Sequence, residues 1–181
     1  MYGMVNKAVE DMVCTRHGEA MWEQVKARAD VNVEVFISNE SYPDEMTYKL
    51  VGAASAMSGR PPQEVLEAFG EHWILKTANE GYGGLMAAGG KSLPEFLNNL
   101  PDFHARVSMV FPKLQPPRFK VSNATDRSLH LHYFTHRAGL AHFVVGLLKG
   151  LGKLFNTPVK HVTRISSRDH GADHDTFLVE W

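Results

Sequence analysis

Two consecutive prolines, Pro116-Pro117, divide the chain into two kinds of pattern. Before them apolar residues recur every three or four positions, and in the segments just after them they recur every second position. A proline pair forces extended backbone and cannot continue a helix, so the change of period is a change of architecture. Upstream, Val5–Ala29 reads as two short helices broken near His17-Gly18. Tyr42-Pro43-Asp44-Glu45 opens a helix that stops at Ser58-Gly59, and Pro61-Pro62 starts another whose stripe is Val65, Leu66, Phe69 and Trp73. Val31–Ser41 is a loop or short strand. Ser92 and Glu95 make a capping box that opens one long helix, Leu93 to Phe111, which ends before Pro112. Downstream, Arg118–Asn123 and Ser128–Arg137 are predicted strands of a hairpin, Ala138–Asn156 a helix, and Val159–Ser167 with Thr176–Trp181 a second hairpin. The fold class is α+β, with the helical part packed on a part that carries the strands.

The same residues exclude several functions. The net charge is −1 and the Lys and Arg residues are scattered, which disfavours nucleic acid or an anionic membrane surface as partner. A single cysteine, Cys14, excludes an internal disulfide and multi-thiolate zinc, and it suits a reducing, cytoplasmic setting. Ala138–Phe155 carries His142, Lys149 and Lys153 and is too short to span a bilayer. Gly89-Gly90-Lys91-Ser92 ends like a phosphate-binding loop, but Leu85 stands where that motif needs its first glycine and no strand precedes it. This stretch and Gly81-Tyr82-Gly83-Gly84 read instead as turns.

Four groups of side chains could carry chemistry. His104 shares an apolar stripe with Leu93, Phe96, Leu97, Leu100, Val107 and Phe111, so it faces inward and needs a hydrogen-bond partner or a metal. Both readings stay open on spacing alone. One face of the 129–137 strand ends in Tyr133, Thr135 and Arg137, a line of donors suited to an anion with several oxygens; otherwise Arg137 pairs with an acid. The other face carries His130, His132 and His136, which could chelate a metal in a non-haem enzyme or form a solvated outer face. His170, Asp173, His174 and Asp175 read as a turn, and Cys14 with His17 is a weak thiol–imidazole pair.

An inward histidine, a proline-kinked loop and a line of donors suggest a ligand coordinated at one point and carboxylated at another, a description that haem meets. The chain resembles the haem nitric oxide/oxygen-binding (H-NOX) family, related to the haem domain of soluble guanylate cyclase. The likeness is carried by Met1-Tyr2-Gly3, Phe69-Gly70-Glu71-His72-Trp73, Gly81-Tyr82-Gly83, Ser92-Leu93-Pro94-Glu95-Phe96-Leu97 and Leu147-Leu148-Lys149-Gly150-Leu151. Its most specific parts are His104-Ala105-Arg106-Val107, Phe111-Pro112, Pro116-Pro117 and the line Tyr133-x-Thr135-x-Arg137.

The resemblance implies a single domain over residues 1–181, a helical subdomain of about 1–60 and a haem-holding one of about 61–181, with haem b (iron protoporphyrin IX) buried between them. It makes His104 the proximal iron ligand, Tyr133, Thr135 and Arg137 the propionate partners, and Pro117 the residue that distorts the haem. Thr135 stands where the family usually has serine, which keeps the hydroxyl. Val5, Val9, Trp73, Phe143 and Leu147 are the implied distal contacts, with His142 in place of Phe143 if the register slips by one. Because Phe143 replaces the tyrosine of oxygen-holding members, the resemblance implies binding of nitric oxide and CO without stable O2 binding. It also implies signalling through loss of the iron–His104 bond to a histidine kinase or a diguanylate cyclase, with no catalytic residue in this domain.

Overall fold

The computed structural model describes residues 1–181. Helices α1 (Gly3–His17), α2 (Glu19–Arg28), α3 (Asp44–Ser58) and α4 (Pro62–His72) come first. Gly18 separates α1 from α2 at φ 83°, in the left-handed region that glycine enters without a Cβ penalty. After α4 the chain widens into one π-helical stretch, Trp73–Ala78, and continues as α5 (Asn79–Gly89), α6 (Leu93–Asn98) and α7 (Leu100–Val110). Strands β1 (Arg118–Ser122) and β2 (Ser128–Phe134), helix α8 (Ala141–Leu154), and strands β3 (His161–Ser166) and β4 (Asp175–Glu180) complete it. The four strands form one antiparallel sheet in the order β1-β2-β4-β3, so the α+β expectation holds.

Three expectations change, each for a local reason. The long helix over 93–111 is two helices, because Pro101 offers no N–H to the carbonyl of Leu97 and its ring crowds it. Ser92 therefore caps α6, its Oγ accepting from Glu95 N at 3.4 Å, and His104 sits on a separate short helix. Strand β2 stops at Phe134, since its next partner on β1 would be Pro117, which has no ladder donor. The glycines at 81, 83 and 84 lie inside α5, kinked at Tyr82, rather than in turns.

Two hydrophobic cores result. One is built from α1 to α4 and contains Val9, Trp22, Leu50, Val65 and Phe69. The other lies between the sheet, α5–α8 and the π stretch, and contains Leu97, Leu131, Leu148 and Phe177. Trp73 packs against both. Helix α4 crosses α8 at glycines: a Cβ on Gly70 would lie 2.2 Å from Phe143 O, and one on Gly146 would lie 2.0 Å from Glu67 O. Glu67 accepts from Lys149 Nζ at 2.6 Å across the same crossing.

Ion pairs also tie α1 to the end of α4. Asp11 contacts His72 Nε2 at 2.7 Å and accepts from Lys76 Nζ at 2.6 Å. Burial raises the Asp11 carboxyl, but Lys76 and His72 outweigh it and hold it below its usual range. A carboxylate lowered in the folded state adds stability above its unfolded pKa, about 4, and loses it as pH falls through the lowered value. Asp11→Asn is accordingly expected to reduce stability at neutral pH and to flatten the acid loss below about pH 4. Urea midpoints measured on both sides of that window test this, and equal shifts at both would show that the carboxylate charge contributes nothing.

Candidate functional site

A cavity of about 520 Å³ lies between the two cores, and most of its wall is apolar. Helix α7 presents His104 to it, and Phe103 and Val107 beside it also reach the wall. The His104 Nδ1 lies 3.0 Å from the carbonyl oxygen of Leu100, one turn back. That carbonyl can only accept, so Nδ1 carries the hydrogen and Nε2 is left with a lone pair and no hydrogen-bond partner. Burial pushes the imidazole below its ordinary pKa, with the Leu100 bond acting in the opposite sense. A neutral imidazole with a fixed tautomer and an unpaired nitrogen at a cavity wall is a metal ligand in waiting. The core-histidine reading and the ligand reading thus coexist, one on each ring nitrogen.

Tyr133, Thr135 and Arg137 also line the cavity. Tyr133 is on β2, while Thr135 and Arg137 follow the strand end, where the freed chain turns them inward. Burial raises the Tyr133 phenol, so it stays a hydrogen-bond donor. Arg137 donates from Nε to Asp44 Oδ2 at 2.6 Å and from Nη1 to Gln115 O at 2.9 Å. The acid-pairing reading of Arg137 is therefore present too, through a residue that the sequence marks only as a helix start. Burial raises the Asp44 carboxyl, but the Met1 α-ammonium and Arg137 outweigh it and lower it. Behind the donor line, Arg168 Nη1 donates to Thr135 O at 2.6 Å and approaches Arg137 O at 3.3 Å, holding that segment from the sheet side.

Pro117, Val5, Trp73, Phe143 and Leu147 line the same cavity. Phe69 joins them, its ring 4.9 Å from that of Phe143. Val9 is fully buried in the first core and does not reach the cavity wall. His142 turns away and meets Glu67 Oε1 at 3.1 Å. Tyr48, whose hydroxyl donates to Ala138 O at 3.1 Å, is a further polar wall residue that spacing did not single out.

The other sequence candidates lie elsewhere. His130, His132 and His136 do not converge, and no three His, Cys, Asp or Glu side chains are arranged to hold one metal ion. Burial, followed by the carboxylate of Glu10, raises the Cys14 thiol, the opposite of an activated thiolate. No helix is long and apolar enough to cross a membrane. The cavity, with an unpaired imidazole nitrogen on one wall and a guanidinium, a phenol and a hydroxyl on another, fits a broad apolar group bearing a metal and carboxylates. Haem is such a group.

Comparison with known proteins gives the same answer. A family model described as Haem-NO-binding matches residues 2–163. Soluble guanylate cyclase gcy-34 of Caenorhabditis elegans is 32% identical over 192 residues, covering 99% of this chain and 28% of the relative. Soluble guanylate cyclase gcy-31 of the same organism is 28% identical over 160 residues, 88% of this chain and 23% of the relative. The chain thus spans about a quarter of the length of these relatives. Among solved structures, an H-NOX protein from S. oneidensis in the Fe(II)NO state superposes with a TM-score of 0.87 at 21% identity, covering 99% of this chain and 98% of that one. An unliganded Fe(II) H-NOX protein from K. algicida gives a TM-score of 0.83 at 23% identity, with 99% and 96% covered. With its family model matched over nearly its whole length, the chain belongs to the haem-NO-binding (H-NOX) family, whose domains are haem-based gas sensors and are not catalytic by themselves.

Proposed function

We propose that this domain senses nitric oxide through haem b and reports it by releasing His104. The observation that carries the reading is the His104 ring, locked through Nδ1 to Leu100 O with Nε2 unpaired at the cavity wall. Ferrous haem supplies the gas-binding metal atom when bound. His104 would hold that metal, Tyr133, Thr135 and Arg137 would hold the propionates, and Pro117 would lie against the macrocycle. The distal wall is Val5, Trp73, Phe143 and Leu147, with Val9 behind it in the core. It offers no tyrosine hydroxyl at Phe143, so a ligand that needs a donor is held poorly while nitric oxide and CO are not penalised.

Release of His104 would free helix α7 from its tether to the cavity. Because Pro101 has already cut α7 from α6, the helix can shift without unwinding a longer one. The proposed moving units are a helical subdomain of about 1–60 and a haem-holding one of about 61–181, with α4 shared between them, since the first core extends through Val65 and Phe69. The partner that reads this motion is a histidine kinase or a diguanylate cyclase, in a reducing cytoplasm that suits the lone thiol.

Absorption spectra of the reduced protein with nitric oxide and with oxygen test the reading. A haem band that shifts with nitric oxide and does not form a stable oxygen complex is expected; a colourless protein, or a stable oxygen complex, would overturn it. Phe143→Tyr adds a hydroxyl donor to the distal wall and is expected to create an oxygen complex that persists in air, measured on the same spectrometer.

A further inference from the structure

The sheet's outer face brings together two groups of residues that lie 42 positions apart. His132 on β2 and His174, in the turn before β4, approach with His132 Nδ1 and His174 Nε2 only 2.8 Å apart. Each ring is held from its far side. Ser122 Oγ on β1 lies 2.7 Å from His132 Nε2, and Asp173 Oδ1 contacts His174 Nδ1. Thr176 Oγ1 on β4 lies 3.3 Å from the same His132 Nδ1 that faces His174. The His174 ring also stacks on Phe134 at 4.1 Å between centroids, and the Arg118 guanidinium covers Phe134 at 4.6 Å.

Two inner nitrogens converge while two outer nitrogens are pinned by a hydroxyl and a carboxylate. Imidazoles that ligate metals are held in this way, with the far nitrogen fixed by a hydrogen bond so that the near one is aimed. In the metal-free chain a single hydrogen must sit between the inner nitrogens, because two lone pairs repel and two N–H groups clash. A metal ion would displace that hydrogen and sit to one side of the line between the two nitrogens. Metal–nitrogen bonds of about 2.0–2.1 Å, set at angles between square and tetrahedral, put the two nitrogens about 2.9–3.4 Å apart. The observed spacing of 2.8 Å would open by a few tenths of an ångström, and the two rings, which stand end to end with centroids 5.1 Å apart, would turn so that both nitrogens face one point.

The geometry points to a divalent transition-metal site on this face, with His132 Nδ1 and His174 Nε2 as ligands, Thr176 Oγ1 beside them and water completing the shell. No third imidazole, carboxylate or thiolate converges, so the site is a two-histidine chelate open to solvent. Imidazole ligands and an open shell favour Cu²⁺ over Zn²⁺. Lys120, opposite His132 on β1, and Arg118 oppose a cation there, and Asp173 favours it. Occupancy would clamp β2 to the 167–174 turn, whose Arg168 grips the backbone of Thr135 and Arg137.

The test is titration of the untagged full chain, stripped of adventitious metal, with ZnCl2 and with CuCl2 against a colorimetric chelator. One equivalent of each is expected, with Cu²⁺ held tighter. His132→Ala or His174→Gln should remove that equivalent, and Asp173→Asn should weaken it roughly 10–100-fold. His136→Ala, at an exposed histidine outside the pair, should leave it unchanged. Circular dichroism of each variant establishes that the sheet is intact, so a loss of metal reads the site and not the fold. Wild-type uptake no greater than that of the His174→Gln chain, or equal loss in His136→Ala, would overturn the assignment.

Discussion

Replacing His104 by glycine is expected to remove the bond between protein and iron while leaving the cavity that holds the haem. The imidazole is the one wall group with a free nitrogen lone pair set by a hydrogen bond on its other side. Glycine at 104 removes that nitrogen and opens a ring-sized space on α7, which a free imidazole can fill. The ferrous absorption spectrum should therefore change completely in the variant and return when imidazole is added. A ferrous spectrum identical to wild type without imidazole would assign the iron to another residue and remove the basis for α7 as the moving element. The test separates ligation from haem retention, since Tyr133, Thr135, Arg137 and the apolar walls remain in place.

The second large effect is expected at the crossing of α4 and α8. A Cβ at Gly146 would lie 2.0 Å from Glu67 O and 2.9 Å from Glu67 Cα, both backbone atoms that cannot rotate aside. Gly70 faces the same contact from α4, where its Cβ would meet Phe143 O and Leu147 N. Gly146→Ala should thus force the helices apart and cost about 3 kcal/mol, the upper end of ordinary overpacking. With a urea m-value of about 1–3 kcal/mol/M, the unfolding midpoint should fall by about 1 M or more. Gly52→Ala supplies the opposite sign: Gly52 is exposed inside α3 and a methyl there would meet nothing within 4 Å, so alanine should stabilise by roughly 0.5–1 kcal/mol. Equal effects at the two glycines would show that helix propensity and not backbone contact governs both. Because Phe143 and Leu147 ride on α8 at this contact, spreading the crossing should also disturb the distal wall.

Much of this molecule is legible as local pattern. Helix and strand periods, the proline starts, the Gly18 break and both hairpins each depend on residues a few positions apart, and the structure places their elements within a few residues of expectation. The break between α6 and α7 is equally local, and Pro101 signals it. The line of Tyr133, Thr135 and Arg137 could be read from alternation even though its last two members lie beyond the strand, around a bend at His136 that leaves both on the cavity wall.

What spacing cannot report is which distant residue arrives opposite. Asp44 stands 93 positions from Arg137 and marks only a helix start in the sequence, yet it holds the guanidinium. His132 and His174 belong to two separate sequence groups, a strand face and a turn, and become one pair because β2 and β4 are neighbours in the sheet. The sequence by itself determined the α+β class, the inward direction of His104 and the donor line. Only the tertiary structure decided that Leu100 and the cavity share the two nitrogens of His104, that Phe143 and not His142 faces the cavity, and that Val9 stands behind its wall. Periodicity is a property of one element's own geometry, whereas a partner across a cavity or a sheet is set by how whole elements pack.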